Sequence, residues 1–217
     1  MVIGSGASGV HFALSVLKKG YDVTMLDVGN GKPRADLKMA GFNELKTSLS
    51  DPSGYFLGER FESVVFPGSE TDYYTKYYGV PPTKNYVFSR PSAFNSEGKG
   101  FEPLMSFAQG GLAEAWTAGA YPLNDDELKE FPFNYGEIGP YYDEVASRIG
   151  VNGEDDDLAR FYPVHANLME PLQFDPHSAQ LVDAYHRRAS RLHEKYDCYL
   201  GRSRIATLTS ARDGREG

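Results

Sequence analysis

Cysteine is almost absent from this sequence, and its scarcity excludes one class of fold. Cys198 is the only cysteine among 217 residues, so no internal disulfide forms and a disulfide-stapled scaffold is excluded. The first 20 residues have no basic lead-in, and glycines interrupt their apolar stretch, so we read no signal peptide there. A reducing cytoplasm is therefore the default location.

Long hydrophobic runs and an excess of basic charge are also missing. No stretch reaches the ~18 apolar residues of a membrane span, so we expect none. The 22 basic residues are outnumbered by 30 acidic ones, and a net charge of -8 disfavours a nucleic-acid partner because it repels the phosphate backbone. The 41% of hydrophobic residues instead predicts a soluble globular chain with a core.

Three glycines follow a short apolar strand at the start of the chain, in the stretch MVIGSGASGV. Gly4 permits a tight turn, Gly6 lets the backbone approach a pyrophosphate without a Cβ in the way, and Gly9 lets a helix lie close to the strand. Free amides at the start of that helix favour an anion. Residues 1–9 therefore predict the phosphate-binding turn of a dinucleotide site.

The segment after the glycines supports this interpretation. A helix is predicted over residues 8–19, with Gly20 at its left-handed C-terminal cap, and a second strand over residues 23–26 that ends at Asp27. Asp27 is placed to accept hydrogen bonds from ribose hydroxyls, which favours FAD or NAD over NADP. The residues predicted to form the buried helix face are Val10, Ala13, Leu14 and Leu17. The cofactor-binding residues predicted in this part of the chain are Gly4, Ser5, Gly6, Ala7, Ser8, Gly9, Asp27, Val28 and Gly29.

A second glycine-rich block, SFAQGGLAEAWTAGAYPL, spans residues 106–123. Gly110 and Gly111 precede Trp116, the only tryptophan, and small residues flank the bulky ring. Two interpretations remain open from these residues alone. The block is either a tight turn that places Trp116 in the core or a loop that approaches a flat cofactor.

These motifs together resemble the glucose-methanol-choline (GMC) oxidoreductases, especially their bacterial and pyranose-oxidase-like branches. The resemblance rests on the glycine turn at residues 4–9, Asp27, the Gly110–Gly111 block with Trp116, and the stretch FPFNYGEIGPYYDEVASRIGV at residues 131–151. It implies a bound FAD. Ala115 stands where pyranose oxidases carry the histidine linked to FAD, so the implied FAD is non-covalent. The further flavin contacts that the resemblance implies are Gly110, Gly111, Leu112, Trp116, Thr117 and Ala118.

The resemblance also implies a fold and a domain division. We expect an α/β fold with a Rossmann-like FAD-binding βαβ unit, a parallel sheet, and an irregular aromatic-rich cap with helices. Residues 1–123 would form the FAD-binding region, with an irregular insertion at about residues 30–100. Residues 124–217 would form a helical segment and the start of a substrate domain. Relatives continue well beyond this point, so we expect a truncated chain and an incomplete fold that needs a C-terminal half or a partner chain.

The function that the resemblance implies is oxidation of an alcohol, a sugar or polyol, by hydride transfer to FAD. The substrate-side catalytic residues are unknown, because relatives carry them near the far C-terminus. Two alternatives stay open: a non-catalytic remnant or interaction module, and an NAD-dependent dehydrogenase.

Other patterns are interpreted structurally. The spacing of four tyrosines indicates cover for a core or a subunit contact, with a substrate-facing aromatic surface as the alternative; they are Tyr73, Tyr74, Tyr77 and Tyr78. The acidic run 154–157 lacks the spacing of a calcium loop and predicts a solvated loop. No metal site is expected, because His186 and His193 are too far apart in sequence and read as surface or boundary residues.

Two further helices are predicted. One begins with Pro140 in its first turn, runs to Ile149 and is capped by Gly150. Its apolar stripe would be Tyr141, Val145 and Ile149. The other runs unbroken from Asp175 to about Tyr196. Its buried side would be Leu181, Val182, Tyr185, Ala189, Leu192 and Tyr196.

Overall fold

The predicted glycine turn lies between a strand and a helix in the computed structural model. The structure describes residues 1–29, 42–61, 63–64, 81–89, 99–100 and 104–216. Strand β1 (Val2–Ile3) leads into helix α1 (Ala7–Lys18) and then strand β2 (Met25–Leu26). The two strands are parallel, with Val2 opposite Met25 and Ile3 opposite Leu26. This order confirms the βαβ unit read from the first thirty residues, and Gly20, at φ +83°, ends α1 as predicted.

The chain divides into two units, Met1–Trp116 and Thr117–Gly217. The first unit also holds helices α2 (Phe42–Ser48) and α3 (Pro52–Leu57) and two 3₁₀ helices, Pro82–Phe88 and Gly111–Ala115. Val87, Phe88 and Ala108 form a small buried core against which Tyr86 and Ala115 lie. The apolar ends of the two 3₁₀ helices therefore meet in that core.

The second unit is built from helices and from loops that pair with one another through isolated β-bridges. It contains α4 (Tyr135–Ile149), a 3₁₀ helix (Asp157–Arg160), α5 (Pro176–His186) and α6 (Ala189–Tyr196). Asn152 is buried and pairs in single β-bridges with both Met169 and Ile205. Its side-chain amide donates to the carbonyls of Ile205 and Thr207, at 3.0 and 2.7 Å. The Asn152 side chain thus links its own loop to the segment 205–207, while the backbone around Asn152 pairs with Met169.

The fold is α/β in the coarse sense that helices accompany a parallel sheet of two strands. A full Rossmann sheet remains a proposal. The first unit ends at Trp116. The boundary between a cofactor-binding region and a substrate domain, which the sequence placed between residues 123 and 124, stays a prediction. No helix among the described residues is long and apolar enough to cross a membrane.

The buried face predicted for α1 is only partly correct. Ala13 is buried, but Val10, Leu14 and Leu17 are all at least 38% exposed. Among the described residues, α1 packs mainly against β1 and the 3₁₀ helix Gly111–Ala115, and these two short elements cover only a narrow strip of the helix.

Helix α4 begins at Tyr135, five residues before the proline that was predicted to lie in its first turn. Asn134 accepts a hydrogen bond from the amide of Glu137, and the Glu137 carboxylate accepts one from the amide of Asn134, which is a complete capping box. Pro140 therefore lies inside the helix, not in its first turn, while Ile149 and Gly150 end it as predicted. Tyr141, predicted on the apolar stripe, is 65% exposed, and the buried positions are Gly139 and Ala146.

The single helix predicted over residues 175–196 is two helices. Asp175 caps α5 as expected, but the backbone leaves the helical region at Arg188. The Tyr185 hydroxyl donates to Asp157 and lies 2.7 Å from His193 Nε2, and this contact between α5 and α6 requires the chain to turn. Tyr185 is buried, whereas Leu181 and Tyr196 are exposed, contrary to the prediction.

The acidic run at residues 154–157 is not the plain solvated loop that was predicted. Asp156 and Asp157 are half-buried. Asp156 accepts from the amides of Leu158 and Arg202, at 2.9 and 2.6 Å. The four tyrosines at 73–78 and most of the insertion at residues 30–100 lie outside the described residues.

Candidate functional site

A cavity of about 390 Å³ opens beside the glycine turn in the first unit. It lies where β1 and β2 both end, because parallel strands bring their carboxyl ends to one edge of a sheet. Such edges are common ligand sites in α/β folds. The lining residues are Ile3, Gly4, Ser5, Gly6, Leu26, Asp27, Val28, Ser106, Ala108 and Gly111.

The three glycines of the turn have different structural requirements. Gly4 adopts φ +90°, a conformation that side-chain-bearing residues rarely take. A Cβ on Gly9 would overlap the Gly4 carbonyl oxygen and lie 3.6 Å from Val2 Cγ1, so only glycine allows α1 this close to β1. Gly6 is different, because a Cβ there would meet no atom nearer than the Gly110 carbonyl oxygen at 3.7 Å.

The start of α1 leaves backbone amides for an anion. Gly6 is the N-cap and supplies no side-chain acceptor, and the first turn carries no acidic residue. The amides of Ala7, Ser8 and Gly9 therefore have no capping side chain, and the positive end of the helix dipole adds to their attraction for negative charge.

Asp27 is held by hydrogen bonds from two sides. Its Oδ2 accepts from the Ser5 hydroxyl and the Ser5 amide, both at 2.6 Å, and its Oδ1 accepts from the Gly29 amide at 2.7 Å. The Ser5 hydroxyl, then the Ser5 amide, lower the pKa of the Asp27 carboxyl below its ordinary value. The side chain is exposed and stays ionised at neutral pH, ready to accept further donors.

The second glycine segment meets the first. The Gly110 amide donates to the Ser5 hydroxyl at 2.9 Å, and a Cβ on Gly111 would lie 3.5 Å from Gly6 Cα. Gly110 and Gly111 adopt φ +90° and +62°. A Cβ on Gly110 would also press on the Glu114 side chain, at 2.8 Å from Oε1.

Glu114, close to the second glycine segment in sequence, is held by two side chains of the 3₁₀ helix Pro82–Phe88. The Tyr86 hydroxyl donates to Glu114 Oε2 at 2.9 Å, and Lys84 Nζ lies 3.8 Å from the same oxygen. Burial, followed by the hydrogen bond to Glu114, raises the pKa of Tyr86 to about 12, so Tyr86 remains a donor at neutral pH.

The remaining predicted residues are more dispersed. Gly29 contacts the Asp27 carboxylate, and Leu112 lies in the 3₁₀ helix Gly111–Ala115 outside the cavity lining. Trp116 is 49% exposed, so the interpretation that placed it in the core is wrong. Thr117 and Ala118 belong to the second unit, where Ala118 adopts φ +66° and accepts from the Ala206 amide.

The structure adds four lining residues that sequence reasoning missed. Ile3 and Leu26 are the last residues of β1 and β2, and their position at the strand ends could have identified them. Ser106 and Ala108 belong to the small-residue block that was noticed, but no spacing rule distinguishes them from their neighbours.

A second cavity, of about 270 Å³, lies in the second unit between α5, α6 and the loop at Arg202. The charged groups that line it are already bonded to other residues of the protein. Arg202 Nε donates to Glu154 at 2.6 Å and its guanidinium stacks 3.6 Å above the Phe174 ring, while Asp157 accepts from Tyr185. This arrangement supports the loops and indicates no ligand chemistry.

Comparison with family models, curated proteins and solved structures finds no match for this chain.

Proposed function

We propose that this chain supplies the FAD-binding part of a flavin-dependent alcohol oxidoreductase of the GMC type. The observation that carries the proposal is the convergence of the glycine turn, Asp27 and the Gly110–Gly111 segment on one cavity. A structural turn alone would not require an ionised carboxylate and two glycine segments around a cavity.

The residues present fit a dinucleotide. The cavity of about 390 Å³ is within the range of ligand sites, which is roughly 300–1,000 Å³. The amides of Ala7, Ser8 and Gly9 would hold the pyrophosphate, and Gly6 leaves room for it. Asp27 would hold the ribose. Gly110 and Gly111 would allow the second segment to approach the ligand closely.

The chemistry proposed for the whole enzyme is oxidation of a CH–OH group in a sugar or polyol. A bound flavin would supply the redox step by accepting a hydride. The residues described here would bind and orient the cofactor and assign no base for the substrate hydroxyl. Ala115, at the position of the covalent histidine in pyranose oxidases, supports non-covalent attachment.

The test is retention of FAD on a sizing column, with Gly6→Ala as the blocking variant. The purified chain should keep flavin absorption bands, and Gly6→Ala should lose them because its methyl group would occupy the pyrophosphate's place. The fold should survive this change, since the Cβ has ordinary van der Waals room. Ser15→Ala, on the same helix but outside the cavity lining, is the control that should still retain FAD.

Three outcomes would contradict the proposal. Full retention of FAD by Gly6→Ala would show that flavin binds elsewhere. Retention of NAD⁺ instead of FAD would favour the dehydrogenase alternative. Failure of the folded wild-type chain to retain either dinucleotide would refute a cofactor site.

A second candidate function, binding of a partner chain, is favoured by the exposed apolar residues of the βαβ unit. Ile3 is 83% exposed and Val28 66%, while Phe12 on α1 is 61% exposed. Parallel sheets are ordinarily covered on both faces, so these side chains suit further strands or a partner. Elution of the chain as a stable monomer that binds no apolar dye would contradict this second candidate.

A further inference from the structure

Ser5 touches three separate segments of the candidate site. Its hydroxyl donates to Asp27 Oδ2 at 2.6 Å and accepts from the Gly110 amide at 2.9 Å, while its own amide also donates to Asp27 Oδ2. The glycine turn, the end of β2 and the second glycine segment therefore meet at one side chain. Asp27 lies 22 positions from Ser5, and Gly110 lies 105 positions away.

The hydrogen-bonding capacity of Asp27 limits what a ligand can contact. An ionised carboxylate has about four acceptor positions, two on each oxygen. The two bonds from Ser5 occupy Oδ2, and Gly29 takes one position on Oδ1. About one acceptor position remains, and it belongs to Oδ1.

Within the part of the chain that the structure describes, the cavity lining shows no other side chain that bonds to Asp27 as Ser5 does. Among the described residues, Asp27 is the only charged side chain that lines this cavity. Ser106, the other hydroxyl in the lining, instead accepts from the Ala108 amide at 3.2 Å. The orientation of Asp27 therefore depends on Ser5 and on the Gly29 amide.

We propose that Ser5 is a positioning residue: its hydroxyl orients Asp27 to accept a single ribose hydroxyl through Oδ1 and ties the Gly110 segment to the same turn. This inference rests on the proposed function. It adds that two features depend on the same Ser5 hydroxyl. One is the recognition of adenosine by Asp27, and the other is the attachment of the second glycine segment to the glycine turn.

A double-mutant cycle tests the proposal, because a positioning residue acts only while its target is present. The dissociation constant for FAD would be measured by titration for the wild type, Ser5→Ala, Asp27→Ala and the double variant. Ser15→Ala is the control, because Ser15 lies on α1 outside the cavity lining. We expect Ser5→Ala to weaken binding about tenfold in the wild-type background. In the Asp27→Ala background the same change should weaken binding less than about threefold, and Ser15→Ala should leave binding unchanged.

A second measurement needs no ligand. Exchange of the Gly110 amide hydrogen, followed by NMR, should be faster in Ser5→Ala than in the wild type, because its acceptor is removed. Ser15→Ala and Asp27→Ala should leave Gly110 protected, since the Ser5 oxygen remains.

Each contrary result overturns a distinct statement. Equal FAD affinity of the wild type and Ser5→Ala, or equal losses in both Asp27 backgrounds, would overturn the positioning role while FAD binding stands. No FAD binding by the folded wild type would overturn the proposed function and the ribose assignment with it. Unchanged Gly110 exchange in Ser5→Ala would overturn the link to the second segment in either case.

Discussion

At the scale of the residue, the three glycines of the turn differ in what depends on them. Gly9 is required by the protein itself, because its Cβ would overlap a backbone carbonyl oxygen that cannot move without opening the turn. Gly6 has room for a methyl group, so the packing of the protein does not require glycine there, whereas the proposed pyrophosphate would. Substitutions at two glycines of one motif should therefore have different effects: a change at Gly9 should affect stability, and a change at Gly6 should affect the proposed cofactor binding.

We predict that Gly9→Ala destabilises the first unit by roughly 3 kcal/mol, since overpacking against backbone forces a shift in α1 or the turn. Urea unfolding followed by the fluorescence of Trp116, the single tryptophan and a residue of that unit, measures this loss. Ser8→Ala should stay within about 0.5 kcal/mol of the wild type. A Gly9→Ala midpoint equal to that of the wild type would mean that α1 does not lie this close to β1.

At the scale of the element, local hydrogen bonds decide where helices begin, and distant contacts decide where they break. Asn134 caps α4, which begins at Tyr135, five residues before Pro140, because the capping box satisfies two amides at once. The break between α5 and α6 has no such local signal. It accompanies the contact of Tyr185 with Asp157 and His193, which lie on other elements.

We predict that Asn134→Ala destabilises the second unit by about 1 kcal/mol, because the Glu137 amide loses its acceptor. Asn134→Asp should restore most of the loss, since aspartate caps helices equally well. Thermal unfolding followed by circular dichroism compares the three proteins. A stability of Asn134→Ala equal to that of the wild type would show that α4 does not depend on this cap.

At the scale of the whole molecule, the two units are stabilised differently. The described part of the first unit combines a small apolar core with an open βαβ unit. The second unit relies on buried polar groups, of which Asn152 is one and Arg204 another. Arg204 is fully buried and donates through Nη1 to the carbonyls of Tyr162 and Pro163.

We predict that Thr117–Gly217 expressed alone unfolds in a cooperative thermal transition, because the bonds of Asn152 and Arg204 lie within it. Asn152→Ala in the same fragment should lower the free energy of unfolding by about 2 kcal/mol, since the buried Asn152 side chain loses its hydrogen bonds to the carbonyls of Ile205 and Thr207. Asn167→Ala, an exposed position, should change it little. A fragment without a transition would show that this unit requires the rest of the chain.

The sequence by itself determined the parts of this protein that depend on neighbouring residues. The order of β1, α1 and β2, the turn at Gly4, the end of α1 at Gly20 and the cap at Asp175 all follow from backbone conformation and hydrogen bonds within a few positions. The glycine turn and Asp27 were likewise readable from their spacing. These interactions join residues that are close in sequence, so they can be predicted from the sequence pattern.

Only the tertiary structure decided which distant groups meet. The bond between Ser5 and Gly110, the contact of Asp157 with His193, the break at Arg188 and the exposure of Trp116 depend on how segments far apart in the chain approach each other. Burial of α1 also depended on what covers it, which no helical spacing specifies. Non-local contacts carry no sequence period, and for that physical reason the structure was needed to join two glycine segments into one site.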